Sequence, residues 1–260
     1  MMKTYFDDKT LGWLLVGALA VMTWAAWSLP KGWNLFGVTV ALVFFLMLHG
    51  LHSNGKPLGI LIGNRNMMSL SRFQAVLWTI IVLAAYITIV FVRIRAGSEL
   101  VPEPLAVEID WRLWALMGIS YASSYFSPLI VNNKAVKATP SDEEVERIAT
   151  KFDLKADEVK SASNGVVYAN PDISQADLAD MFEGDEIGDA AYVDISKVQM
   201  FLFTVVAVIS YEALVINTIM TVPPDKIVSF PALSEGFLAI LGISHAGYLS
   251  SKTVTSTKIQ

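Results

Sequence analysis

Ser71-Arg-Phe-Gln-Ala-Val-Leu-Trp-Thr-Ile-Ile81 aligns without a gap to Ser196-Lys-Val-Gln-Met-Phe-Leu-Phe-Thr-Val-Val206, and the register carries on to Tyr86 against Tyr211. Further along, Ala115-Leu-Met-Gly-Ile-Ser-Tyr-Ala122 aligns to Ala239-Ile-Leu-Gly-Ile-Ser-His-Ala246. The offsets are 125 and 124 residues, a single-residue difference in loop length. Apolar helices resemble one another by chance because they draw on few residue types. Identical Ser, Gln, Thr, Tyr, Gly, Ile and Ser at constant spacing are not explained that way. The chain reads as an internal duplication, and a repeat outranks any short motif as a guide to architecture.

Working outward, each aligned segment lies in a long apolar run. A helix needs roughly 20 mainly apolar residues to cross about 30 Å of hydrocarbon. Leu11–Leu29, Trp33–Leu51, Gln74–Val92, Leu113–Val131, Val198–Val222 and Phe230–Ser251 meet that length, the fifth broken by Glu212 and the sixth holding Glu235 near its start. The bulk composition agrees: 54% of residues are hydrophobic, 17% are charged and the mean hydropathy is +0.51. A soluble domain carries about a quarter charged residues. The fold class expected is therefore an all-α integral membrane protein with about six transmembrane helices. An N-terminal hairpin precedes two hairpins of a parallel repeat, whose pseudo-axis runs along the membrane normal. The Met1–Thr10 segment has some signal-peptide character, but Asp7, Asp8 and the long apolar stretch point to a retained first helix.

Four regions follow: 1–54 (N-terminal hairpin), 55–131 (first repeat hairpin with its preceding loop), 132–195 (insert) and 196–260 (second repeat hairpin and tail). With the N-terminus cytoplasmic, the inside segments hold fourteen of the 19 Lys and Arg residues, Lys3, Lys137 and Lys258 among them. The positive-inside rule then puts both termini in the cytoplasm of a bacterial inner membrane or plasma membrane. The segment Asn132–Ser196 carries fifteen acidic and six basic residues, a net charge of −9 that leaves the rest of the chain at +4. Ser141-Asp-Glu-Glu144 has the form of a capping box that opens a helix to about Phe152. Gly165–Tyr168 reads as a short strand and Asp172–Phe182 as a second helix, so the insert is an ordered cytoplasmic element.

Several repeated residues are candidates for path lining or helix contact. Thr79 and Tyr86, with Arg72, fall on one helix face at a spacing of seven, and Thr204 and Tyr211, with Lys197, repeat that stripe. Polar groups on an apolar helix avoid lipid, so this face meets either other helices or water. Gln74 and Gln199 sit one turn inside the cytoplasmic boundary, where backbone or headgroups are their natural partners, and Arg72 and Lys197 read as interfacial anchors. Glu212 and His245 are the deepest ionisable groups, with Ser120 and Ser244 as neighbouring hydroxyls. Gly118 with Ala122, and Gly242 with Ala246, place small residues four apart, a pattern that lets helices approach closely within the chain or across an oligomer.

Other chemistry is weakly signalled. Gly118-Ile-Ser120 with His245 resembles only a fragment of the rhomboid-protease pattern, and Tyr121 stands where a second glycine belongs, so an enzyme is not expected. There is no cysteine, phosphate loop or zinc motif, and no cofactor or metal is implied. His49 and His52 alone make a weak metal signal. Glu183–Asp189 lacks the spacing of a calcium loop and reads as a solvated turn. No basic patch suits nucleic acid. The functional expectation is a channel-like homo-oligomer in contact with membrane lipid. An anchoring subunit that docks a cytoplasmic protein through the acidic insert is the alternative, and a proton-coupled transporter using Glu212 comes third. The topology is testable because the native chain has no cysteine. Single cysteines at Asn133 and Asp172 should label only from the cytoplasmic side, and those at Glu103 and Asp225 only from outside. Labelling of the Asp172 position from outside would reverse the orientation.

Overall fold

The structure is a computed structural model that describes residues 6–135, 139–254 and 256–257. Both chain ends, together with Lys3, Lys137 and Lys258, lie outside the described residues. The described chain is helical, with α1 (Asp8–Ser28), α2 (Trp33–Asn54), α3 (Leu70–Arg95), α4 (Trp111–Ala135), α5 (Asp142–Lys151), α6 (Ala156–Ala162), α7 (Ile195–Thr221) and α8 (Glu235–Ser251). Isolated bridges stand in place of strands. Four helices, α1, α2, α3 and α7, are long and apolar enough to cross a membrane. Helix α4 has the length but is diluted by Ser120, Ser123, Ser124, Ser127 and Pro128. Helix α8 has 17 residues, and Phe230–Ser234 precedes it without helical structure. At 1.5 Å per residue it reaches roughly 25 Å.

The chain divides into two compact units. The first comprises residues 1–60, 76–117 and 205–238. Its α1–α2 hairpin turns at Gly32, whose φ of +86° suits glycine, and Asn34 Oδ1 accepts from the Gly32 and Leu35 amides at 3.1 and 3.0 Å. Trp78 is fully buried and meets Tyr211 edge-on at 6.5 Å. Arg93 gathers the two loops that precede α4 and α8. Its guanidinium donates to Pro104 O at 3.1 Å, to Glu103 O at 2.7 Å and to Ile227 O. Glu108 pairs alongside through its amide to Val228 O at 2.9 Å and its carbonyl to the Phe230 amide at 2.8 Å. Three carbonyls on one buried cation satisfy backbone that helices cannot reach.

The second unit comprises residues 61–75, 118–204 and 239–260. Val145, Ile148 and Ala149 of α5, Val159 of α6, Tyr168, Ile187 and Ala190 form its core, which Met67 joins from the loop before α3. Phe152 stacks on Tyr168 at 5.3 Å. The ordered insert is thus present, with differences from the sequence expectations. Ser141 opens α5 without a side-chain cap, its hydroxyl buried and unpaired. Gly165–Tyr168 makes single bridges, Val167 pairing with Asn164 and with Glu186, because the backbone turns at Gly165 (φ +57°). Asp172–Phe182 forms two 3-10 turns, Ile173–Gln175 and Ala179–Met181. Asp172 and Asp177 side chains capture the amides of Ser174 and Ala179 at 2.8 and 2.7 Å, the local competition that keeps Asx residues out of helix interiors.

Candidate functional site

The polar stripe is engaged in helix contacts. Thr204 is fully buried, accepts from Gln74 Nε2 at 2.5 Å and donates to Met200 O at 2.8 Å. Gln74 therefore spends its amide on α7 rather than on headgroups, and Phe73 meets Phe201 beside it at 5.5 Å. Tyr211 is buried against Trp78, with its hydroxyl unpaired. Tyr86 is half-buried, its hydroxyl 3.4 Å from Leu105 O and its ring 6.3 Å from Phe230. Thr79 is half-buried on the same face. Glu212 is half-buried on α7.

On α4 and α8 the buried polar groups meet. Ser123 Oγ lies 2.7 Å from His245 Nδ1, and Ser127 Oγ lies 3.1 Å from the Tyr248 hydroxyl. Ser120 Oγ, Ser244 Oγ and His245 Nε2 are buried without a hydrogen-bond partner among the described residues. The small residues are not at a close crossing within the chain. A Cβ built on Gly118 meets nothing within 4 Å, and one on Gly242 meets only Ile119 Cδ1 at 3.9 Å. Ala246 is exposed and Ala122 half-buried. His52 turns to Asp8, Nε2 to Oδ1 3.4 Å, while His49 packs edge-on with Phe45.

The densest chemistry lies elsewhere, around the acidic run. Glu183–Asp189 is not a solvated turn, since Asp185 is 9% and Glu186 1% exposed. Asp185 Oδ1 takes Arg65 Nη2 at 2.5 Å and Lys197 Nζ at 3.2 Å, and Oδ2 takes Lys252 Nζ. Lys197 and Lys252 are 4% and 5% exposed, so Lys197 is a buried ion-pair partner rather than an interfacial anchor. Arg65 also donates to the Tyr168 and Asp185 carbonyls at 3.2 Å. Lys252 rests over the Tyr248 ring at 4.7 Å. Next to this, Glu186 Oε1 pairs with Lys134 Nζ at 2.5 Å, and Oε2 accepts the Ser256 and Thr257 amides, both at 2.9 Å.

Local structure explains the placement. Asp194 Oδ1 caps α7 by accepting from Ser196 N at 2.8 Å, which fixes Lys197 in the first turn. Asp189 Oδ1 accepts the Glu186 amide at 2.9 Å and bends the run so that Asp185 and Glu186 point inward. Burial alone pushes the Asp185 carboxyl up, but Lys197, Lys252 and Arg65 together overcome it and hold the group well below the ordinary carboxylate range. Burial likewise works against Glu186, and Lys134 with the tail amides leaves it below its usual value. Asp180, which accepts from Met68 N at 2.9 Å and Asp177 N at 3.0 Å, is raised by burial despite those donors. Burial pushes Tyr168 up to about 12.

Arg65, Asp185 and Lys252 escape sequence reasoning because no motif joins them. The signal available was the split of −9 in the insert against +4 elsewhere, which a buried neutralising cluster accounts for in part. Among the described residues no three His, Cys, Asp or Glu side chains are grouped to hold a metal ion. Comparison of the chain with protein-family models, with curated proteins and with solved structures finds no match.

Removing one partner of a buried ion cluster leaves uncompensated charge, at a cost of about 3–5 kcal/mol. Asp185→Asn should lower denaturant or thermal stability in detergent by that order. A group depressed on folding contributes stability above its unfolded value, here 3.8, and loses it as pH falls through the lower folded value. The wild-type advantage over the variant should be full at neutral pH and shrink only below about pH 4. Equal melting temperatures at pH 7 would show the cluster to be energetically idle.

Proposed function

We propose that the chain is a membrane-anchored protein that works through its folded second unit, the anchoring reading. The observation that carries it is the Asp185 cluster, in which the first turn of α7 and the residue following α8 are built into the same charged core as the insert. A disordered linker or a simple loop between spans has no need of such a core. Support also comes from the stripe residues, since Thr204 and Tyr211 are turned toward neighbouring helices. The exposed carboxylates Asp142, Glu143, Glu146, Asp153, Asp157 and Glu158 on and beside α5 and α6 outnumber the exposed Arg147, Lys151, Lys155 and Lys160, a modest acidic excess that a basic protein partner would meet.

The six-span layout belongs to the same proposal. Trp114, Tyr121, Tyr125, Phe126 and Leu129 of α4 are exposed, whereas Ser120, Ser123 and Ser127 are buried. A helix with its apolar face outward and its hydroxyls inward suits lipid even though its average hydropathy is low. Helix α8 follows the same rule, with Ile240 and Ile243 outward and Ser244, His245 and Tyr248 inward. Cytoplasmic termini and the parallel repeat complete that layout, and Ser69 and Asp194, equivalent in the alignment, both face the first-turn amides of their helices.

A channel-like oligomer is the second reading, favoured by the buried unpaired atoms Ser120 Oγ, Ser244 Oγ and His245 Nε2. Conduction separates the two. The anchor should be electrically silent in planar bilayers. A triple charge reversal, Glu143→Lys with Glu146→Lys and Asp157→Lys, should abolish co-purification of its partner while leaving the melting temperature within a few degrees. Unitary currents that change in His245→Ala would instead establish the channel.

A further inference from the structure

Beside the Asp185 cluster lies a small solvent-open recess of about 50 Å³, formed entirely by residues of the second unit. Arg65, Arg72, Lys197 and Lys252 line it against two carboxylates, Asp180 and Asp185. Its walls therefore carry two more positive than negative formal charges. Asp185 is shared among three of the cations, so its single charge cannot neutralise them. Arg72 is the fourth cation. It commits one guanidinium N–H to Ile62 O at 2.9 Å, and a guanidinium has five. Asn64 and Asn132, both exposed, add neutral amides at the opening.

We propose that this recess binds a phosphate-bearing anion. A phosphate group with charge between about −1.5 and −2 matches the local excess, and its several oxygens suit the convergence of arginine forks and ammonium groups better than a single carboxylate does. Burial lowers the Lys252 ammonium below its ordinary value, with Arg65 adding to that effect and Asp185 and Asp194 opposing it. Arg72 and Lys197 precede the apolar runs of α3 and α7, and Lys252 follows α8. In the proposed topology that is the level of the cytoplasmic headgroups. A lipid headgroup and a free phosphate in solution share this chemistry, and the recess is the same for both. The inference does not depend on the unit docking a protein partner.

The test uses the full chain in nanodiscs of phosphatidylcholine, with inorganic phosphate titrated by calorimetry at constant ionic strength, and a second set of discs containing phosphatidic acid. Saturable phosphate binding in the neutral discs, weakened about tenfold or more by Arg72→Gln and unaffected by Arg112→Gln, supports a solution ligand. Stabilisation by phosphatidic acid that is lost in Arg72→Gln, without binding of free phosphate, supports a lipid headgroup. Arg72 is exposed and outside the Asp185 pairs, so the variant is expected to fold, and its melting temperature in neutral discs verifies this. If neither ligand binds, or if Arg72→Gln and Arg112→Gln change binding equally, the proposal is overturned.

Discussion

A carboxylate taken out of water must be met by opposite charge and donors, or it will not stay ionised. Asp185 is met by Arg65 from the loop before α3, by Lys197 from the start of α7 and by Lys252 just after α8. More than 180 residues separate the first of these from the last. No other contact among the described residues of the second unit gathers so many distant segments on one atom pair. The folded insert, the loop 61–69 and the ends of two apolar helices share their position because they share this charge.

Such a cluster is a poor source of net stability compared with apolar packing, because desolvation offsets most of the attraction. Its value lies in exclusivity. An apolar core tolerates many arrangements of similar volume, whereas a buried carboxylate with three cations has few. The apolar core around Ile148, Val159 and Tyr168 contributes the bulk burial, and the charges select the register in which the chain ends meet it. Glu186, with Lys134 and the amides of Ser256 and Thr257, extends the same arrangement to the tail.

Periodicity and length made the long helices legible, α1, α2, α3 and α7 above all, since unbroken apolar runs leave few alternatives. Helix α4 shows the limit of averaging, because its serines lower the mean hydropathy while facing inward to His245 and Tyr248. The spacing of the stripe residues cannot distinguish a helix neighbour from water; in the fold Thr204 meets Gln74. Glycine spacing could not say which helices would approach, and within the chain Gly118 and Gly242 meet almost nothing. The acidic run was misread because charge usually marks solvent exposure. Only the three-dimensional return of Arg65, Lys197 and Lys252 reverses that inference, and no local pattern announces it.

Hydrogen–deuterium exchange on the full chain in lipid nanodiscs, comparing wild type with Asp185→Asn, tests the organising role of the cluster most directly. If Asp185 holds the unit together, protection falls as a block across α5, α6, the loop 61–69, the first turn of α7 and the last turn of α8, while the α1–α2 hairpin keeps its wild-type protection. Loss confined to the few amides around position 185, with α5 and the helix ends unchanged, would contradict the account.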